Sequence, residues 1–218
     1  RELGITDIIK LASNENPFGP SPHALAAMHA ALADAWLYPD GSGHRLKHKL
    51  AAKLGVAAEQ LTLGNGSNDV LVLLAEAFLE RGVEAVYSQF AFAAYPIAVQ
   101  ATGATAVVVP ALAASSAMPL GHDLAAMKSA ITERTRVVFV ANPNNPTGTW
   151  MPAAELHRFV KAVPSHALVV LDEAYFEYAG GLDIQNGISW LGEFPNLVVV
   201  RTFSKAYGLA GLRVGYAV

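Results

Sequence analysis

Arg136-Val137-Val138-Phe139-Val140-Ala141 runs directly into Asn142-Pro143-Asn144-Asn145-Pro146-Thr147-Gly148. The first half is aliphatic with no polar alternation, which predicts a strand buried on both faces, as in a parallel sheet. The second half is dense in Asn and Pro, and its two prolines stiffen the backbone at the carboxyl end of that strand, where open α/β sheets bind ligands. Working outward, a helical Ala/Leu pattern over 152–162 and a second aliphatic run over 167–172 complete a strand-helix-strand unit. The same alternation predicts strands at 61–64, 85–88, 105–109, 136–141, 167–172, 197–201 and 212–218, with helices at 68–80, 91–101, 124–131 and 152–162 and a shorter one near 188–192. Only residues 202–211 separate the last two strands. That is too short for a crossover helix, so the seventh strand is expected to run antiparallel. The fold class is α/β: a three-layer, mixed, mostly parallel seven-stranded sheet with helices on both faces.

Before residue 56 the texture changes. An irregular Ser13-Asn14-Glu15-Asn16-Pro17-Phe18-Gly19-Pro20 precedes a helix capped by Ser21 with Pro22 in its first turn. Tyr38-Pro39-Asp40-Gly41 then leads to a second helix ending at Gly55. Residues 1–55 are expected to form an arm with its helices, and 56–218 one large domain. The 110–121 stretch reads as a surface connection without chemistry.

Composition narrows the function. With 53% hydrophobic and 15% charged residues, the 218-residue chain is globular rather than disordered. A net charge of −3 provides no general basic field for nucleic acid or an anionic membrane surface, so any anion site is local. The absence of cysteine removes disulfides, thiolate zinc sites, iron–sulfur clusters and cysteine nucleophiles, and a cytoplasmic setting is the simplest expectation. The apolar run 90–99 is about half of the roughly 20 residues that a membrane-spanning helix needs. The chain opens at Arg1 with no basic, apolar leader, which reads as a trimmed or partial N-terminus rather than a secretory signal.

Four segments carry candidate chemistry. Gly64-Asn65-Gly66-Ser67-Asn68-Asp69 follows a strand and opens a helix, the setting in which backbone N–H groups hold a phosphate. Asp69 stands where a dinucleotide fingerprint has its third glycine, and a Walker lysine is missing; a plain strand-to-helix turn with an Asn cap fits the residues as well. The 142–148 loop is suited to present the Asn145 amide in one orientation, and Asn145-Pro146 is the candidate for a cis peptide. Val169-Val170-Leu171-Asp172-Glu173-Ala174-Tyr175 delivers Asp172 to the sheet edge, where a desolvated carboxylate requires a cation such as a protonated ring nitrogen, unless it merely caps a helix. Thr202-Phe203-Ser204-Lys205-Ala206-Tyr207-Gly208 continues through Leu209-Ala210-Gly211-Leu212-Arg213. It places Lys205 among small and apolar neighbours, where burial would lower its pKa and yield an amine able to condense with an aldehyde. Arg213, expected to start the last strand, and the hydroxyls of Thr202 and Ser204 complete a phosphate site with Gly66, Ser67 and Asn68.

The histidines say less. His44 and His48 share a helix face at ligand spacing, but Arg45, Lys47 and Lys49 crowd it with positive charge, and no metal is expected. His23, His29, His122, His157 and His166 are scattered and expected to be solvated. A Gly-x-Ser-x-Gly nucleophile elbow is absent, which disfavours hydrolase chemistry.

Taken in order, these segments resemble the fold-type I, class I/II pyridoxal-phosphate-dependent aminotransferases. The opening Lys10-Leu11-Ala12-Ser13-Asn14-Glu15-Asn16-Pro17-Phe18-Gly19-Pro20 resembles the histidinol-phosphate aminotransferases in particular. The resemblance implies pyridoxal 5'-phosphate bound through the Lys205 amine, Asp172 on the pyridinium nitrogen, and Asn145 with Tyr175 on the phenolic oxygen. It assigns Gly66, Ser67, Asn68, Thr202, Ser204 and Arg213 to the phosphate cup, Phe92 to stacking on the ring, and Asn14 to the substrate. Tyr38 matches a residue donated across a homodimer to the neighbouring subunit's phosphate. The implied reaction moves an amino group between L-histidinol phosphate and 2-oxoglutarate in histidine biosynthesis. Within the same family, an aromatic or other amino-acid aminotransferase or a phosphothreonine-type decarboxylase stays open, as does a non-catalytic cofactor-binding or dimerisation fragment. A smaller C-terminal domain of the family lies outside this chain, which implies that the 218 residues bind cofactor yet turn over poorly.

Overall fold

The computed structural model describes residues 4, 9, 10 and 12–218, so Leu11 of the opening motif lies outside the described residues. Seven strands form one sheet: β1 Thr62–Asn65, β2 Glu84–Ser88, β3 Thr105–Val109, β4 Thr135–Ala141, β5 Leu168–Asp172, β6 Leu197–Thr202 and β7 Val214–Ala217. The helices are α1 Pro22–Ala31, α2 His44–Leu54, α3 Ser67–Phe78, α4 Ala94–Thr102, α5 Leu124–Ser129 and α6 Ala153–Ala162. The shorter helical segment anticipated near 188–192 is a 3-10 turn at Gly187–Trp190.

Spatial order in the sheet is β1-β7-β6-β5-β4-β2-β3. The β2–β3, β2–β4, β4–β5 and β5–β6 pairs are parallel, whereas β7 is antiparallel to both β1 and β6, as its short connection demands. The chain steps from β2 outward to β3, then back across to β4 and on through β5 and β6. Right-handed crossovers in opposite directions put their helices on opposite faces. Accordingly α3 and α4 cover one face, packing Val70, Leu71 and Val99 on Tyr87, Phe139, Val170 and Val200. On the other, Leu50 of α2, Met127 of α5, and Leu156 and Phe159 of α6 pack on Val86, Val138, Val140, Val169, Leu171 and Val199. Successive residues of β4 and β5 thus alternate between two cores, which is why these strands read as unbroken aliphatic runs.

Local chemistry explains the ends of the elements. Ser21 Oγ accepts from the Ala24 N–H and Pro22 opens α1, and Gly55 closes α2 at φ 71°. Asp40 caps the entry to α2, accepting from the N–H groups of Ser42 at 2.9 Å and His44 at 2.8 Å. These hydrogen bonds, with that from the Ser42 hydroxyl foremost, hold the Asp40 carboxyl below the usual carboxylate range.

Three expectations are corrected. Helix α4 starts at Ala94 rather than 91: Ala91 donates its N–H to the Ser88 carbonyl in a separate turn, and the Tyr95 N–H bonds to the Phe92 carbonyl as the helix begins. Arg213 does not start β7: a 3-10 turn at Ala210–Leu212 precedes it, and it sits in the left-handed region at φ 54°. His122 is buried at 6% exposure, with Nε2 3.1 Å from the Ala141 carbonyl oxygen. Burial pushes its pKa down to about 4, so it is neutral at physiological pH. His157 is likewise half-buried, its ring against Trp190 and Phe194 and its Nε2 2.9 Å from Glu193.

Candidate active site

Parallel strands deliver their carboxyl ends to one edge of the sheet, and β7, running the other way, brings its beginning there. Asp172 closes β5, Asn142 follows β4, Thr202 closes β6, and Arg213 precedes β7. Topology therefore assembles residues from four separate segments, Asn142 to Arg213, consistent with ligand sites at strand ends near a point where strand order reverses.

Ser67, Phe92, Asn145, Asp172, Tyr175 and Lys205 line one cleft at this edge. Asp172 is 5% exposed and both its oxygens have partners. Oδ2 accepts from the Tyr95 hydroxyl at 2.9 Å and Oδ1 from the Ala174 N–H at 3.1 Å. Burial raises the Asp172 carboxyl above the ordinary range, while Tyr95, the Ala174 N–H and the charge of Lys205 pull it back towards ionisation. The site suits a carboxylate facing a cation.

Lys205 is half-buried, and its Nζ donates to the carbonyl oxygens of Ser13 at 3.2 Å and Asn14 at 3.3 Å. The ammonium lies 5.4 Å from the centroid of the Tyr175 ring. Asn14 Nδ2 donates to the Tyr175 hydroxyl at 2.9 Å, and Asn16 Nδ2 to the Ala206 carbonyl at 2.9 Å. The arm therefore crosses the lysine turn as a strap, and Ser13 and Asn14 adopt left-handed φ values of 75° and 48° to do so. A groove of about 310 Å³, lined by Asn14, Asn144, Asn145, Tyr175 and Tyr178, adjoins the cleft.

Both Asn142–Pro143 and Asn145–Pro146 are cis; the second is the bond anticipated from sequence. The loop is held from inside: Asn142 Oδ1 accepts from the Met151 N–H at 2.9 Å, and Asn144 Nδ2 donates to the Phe90 carbonyl at 2.9 Å and the Thr147 hydroxyl at 2.7 Å. Asn145 is left facing the cleft.

At the other end of the cleft, α3 starts at Ser67 with Gly66 as an N-cap that supplies no side-chain hydrogen bond. The N–H groups of its first turn, those of Ser67 and Asn68 among them, are thus open to an anion. Gly66 has φ 87°, and a β-carbon there would collide with the Arg213 guanidinium. Arg213 Nη1 reaches Ser204 Oγ at 3.4 Å, Nη2 reaches the Asn65 carbonyl at 3.3 Å, and the Thr202 hydroxyl accepts from the Ser204 N–H at 3.1 Å. Helix start, hydroxyls and guanidinium form one cradle. Tyr38 is fully exposed and lines no part of this cleft.

Sequence reasoning overlooked Tyr95, whose signal was its place three residues after Phe92 in the apolar first turn of α4. It also overlooked the buried pair beside Asp172. Arg201 Nε and Nη2 donate to Glu173 Oε2 at 2.9 and 2.5 Å, and the Gly187 N–H donates to Glu173 Oε1 at 2.7 Å. A larger open cleft of about 620 Å³ lies under α5 and α6 and contains none of the candidate residues. Among the described residues no group of three or more His, Cys, Asp or Glu is arranged to hold a metal ion, and no helix is long and apolar enough to cross a membrane.

Comparison with known proteins agrees with this geometry. Residues 6–218 match the family described as aminotransferase class I and II. The chain is 60% identical over 218 residues to histidinol-phosphate aminotransferase 2 of Pseudomonas fluorescens, covering 99% of this chain and 57% of that protein. It is 58% identical over 218 residues to the protein of the same name from Methylococcus capsulatus, covering 100% and 59% respectively. The histidinol-phosphate aminotransferase of Sinorhizobium meliloti, solved in complex with pyridoxal-5'-phosphate, superposes with a TM-score of 0.86 at 37% identity, covering 94% of this chain and 54% of that one. The chain thus spans a little over half the length of the relatives it matches. The cleft, the strand order that builds it and the match across 6–218 agree: this chain belongs to the class I and II aminotransferase family.

Proposed function

We propose that this chain is the cofactor-binding part of an aminotransferase that uses pyridoxal 5'-phosphate to move an amino group between L-histidinol phosphate and 2-oxoglutarate in histidine biosynthesis. The observation that carries the reading is the convergence of Lys205, Asp172, Asn145 and Tyr175 on one cleft beside an anion cradle. Identity of about 60% to histidinol-phosphate aminotransferases supports the donor.

The residues present fit the cofactor. A buried carboxylate with both oxygens already stabilised accepts a cationic ring nitrogen, and an uncapped helix start with an adjacent guanidinium accepts a phosphate. When bound, the cofactor supplies an aldehyde and an electron-withdrawing ring. Lys205, which lines the cleft, would supply the amine that holds the cofactor's aldehyde carbon and, as a free amine, would hold or move a proton at Nζ. Asp172 would hold a ring nitrogen in its protonated form, its carboxylate already stabilised by Tyr95 and the Ala174 N–H. Tyr175 and Asn145 would orient the phenolic oxygen, Phe92 would cover the ring, and Gly66, Ser67, Asn68, Thr202, Ser204 and Arg213 would hold the phosphate. Asn14, bonded to Tyr175 and facing the adjoining groove, meets the substrate.

The division into an arm over 1–55 and a large domain over 56–218 belongs to the same reading. So do a cytoplasmic homodimer and the donation of Tyr38, exposed on the arm, to the partner's phosphate site.

The direct test is chemical. Pyridoxal phosphate added to the chain should give a yellow carbon–nitrogen double bond that borohydride traps on the peptide containing Lys205. L-histidinol phosphate should then discharge the colour faster than aromatic amino acids do. Trapping on any other lysine would reject the site, and preferential discharge by an aromatic amino acid would reject the donor.

A further inference from the structure

The Tyr95 hydroxyl reaches Asp172 Oδ2 from helix α4, and the proposed chemistry gives it no role. We propose that Tyr95 is a positioning residue: its hydroxyl fixes the Asp172 carboxylate and keeps it the weaker base of the pair it forms with a pyridine ring nitrogen, so that the shared proton stays on the ring. The inference rests on the cofactor reading above and assigns a role to a side chain sealed from the cleft at 0% exposure.

Directionality is settled by chemistry. Burial, reinforced by the charge of Asp172, holds the Tyr95 phenol well above its ordinary value, so Tyr95 is the donor throughout the useful pH range. With Oδ2 taken by Tyr95 and Oδ1 by the Ala174 N–H, the carboxylate is fixed in rotation, and a lone pair remains for a donor in the cleft.

The hydroxyl is itself held in place. The Tyr95 ring stacks on Phe139 at 4.8 Å with a 12° interplanar angle, and Phe92 and Tyr87 meet it edge-on at 6.0 and 6.4 Å. Phe92 also lines the cleft, so the residue that would cover the cofactor ring and the one that braces its counter-ion pack on each other.

Proton balance then follows. Burial makes Asp172 more basic, and a carboxylate that is too basic takes the proton from a ring nitrogen and leaves both groups neutral. A buried donor opposes that by stabilising the ionised form. A tyrosine that only filled the core would be replaced by phenylalanine without electrostatic consequence.

The test compares the wild-type chain with Tyr95→Phe and with 3-fluorotyrosine incorporated at position 95, a stronger donor of nearly unchanged shape. Asp172 is titrated by carboxyl carbon NMR in cofactor-free protein, and the ring nitrogen is followed with pyridoxal phosphate labelled with nitrogen-15. Tyr95→Phe should move the Asp172 titration to higher pH, shift the ring nitrogen signal towards the unprotonated form and weaken cofactor binding about tenfold. The fluorinated chain should move the Asp172 titration the opposite way, and it carries the test alone if Tyr95→Phe fails to fold. Wild-type chain that takes up no cofactor overturns both readings. Normal loading, with the Asp172 titration and the ring signal unmoved in the substituted chains, overturns this inference and leaves the proposed function standing.

Discussion

Gly215 sits in β7 opposite Gly64 of β1, with the first residue of α3 lying across it. A β-carbon on Gly215 would collide with the backbone nitrogen of Ser67 and the carbonyl carbon of Gly66 and come within 2.7 Å of Ser67 Cα. Ordinary contact begins at 3.4 Å, so even the loosest of these three clashes requires about 0.7 Å of movement by backbone that no side-chain rotation can relieve. The atoms pushed aside include the Ser67 N–H proposed to hold the cofactor phosphate. Gly215→Ala should therefore lower unfolding stability by about 1–3 kcal/mol, the usual cost of overpacking. Loss of a charge-assisted hydrogen bond of about 1.5–3 kcal/mol would weaken cofactor binding roughly ten- to a hundredfold. Urea unfolding and fluorescence titration with pyridoxal phosphate read the two effects separately. Gly192→Ala, whose new methyl would have nothing within 4 Å, is the matched control and should change neither. Gly215→Ala protein with unaltered stability and affinity would refute the close approach of β7 to the start of α3 and the phosphate site argued from it.

Other expectations follow from buried groups. The depressed pKa of His122, about 4 against an unfolded 6.5, means that its contribution to stability is fully present above pH 6.5 and is lost as pH falls through 4. Relative to His122→Gln, the wild-type chain should lose up to about 3 kcal/mol over that interval, read as the difference between two urea-midpoint profiles against pH; parallel profiles would contradict the buried neutral ring. Arg201→Met leaves Glu173 ionised or protonated in a site 1% exposed and should cost about 3–5 kcal/mol in calorimetry, with the added change Glu173→Gln recovering part of it. Asp172→Asn should still allow borohydride trapping at Lys205 but slow the amine half-reaction by at least about a hundredfold in stopped-flow absorbance, because the ring nitrogen loses its counter-ion; an unimpaired half-reaction would remove Asp172 from the mechanism.

The linear sequence determined the elements and marked the polar residues that stand at their ends. Residues 136–141 and 167–172 read as doubly buried strands because both of their faces pack on helices, and the short 202–211 connection alone fixed the direction of β7. Asp172, Asn145 and Lys205 were legible for a related reason: each ends or follows such a strand, where polar residues stand out against aliphatic runs. Pairwise encounters between distant side chains leave no such mark. The tertiary structure alone decided that Tyr95 donates to Asp172 across 77 positions, that Asn14 bonds to Tyr175 across 161, and that Arg201 pairs with Glu173. It alone decided as well that His122 is buried beneath β4 and that Arg213 turns left-handed ahead of β7. Periodicity and turn residues report local backbone preference, whereas burial and partnership depend on which elements the sheet order brings together, a property of the whole chain that no window of residues contains.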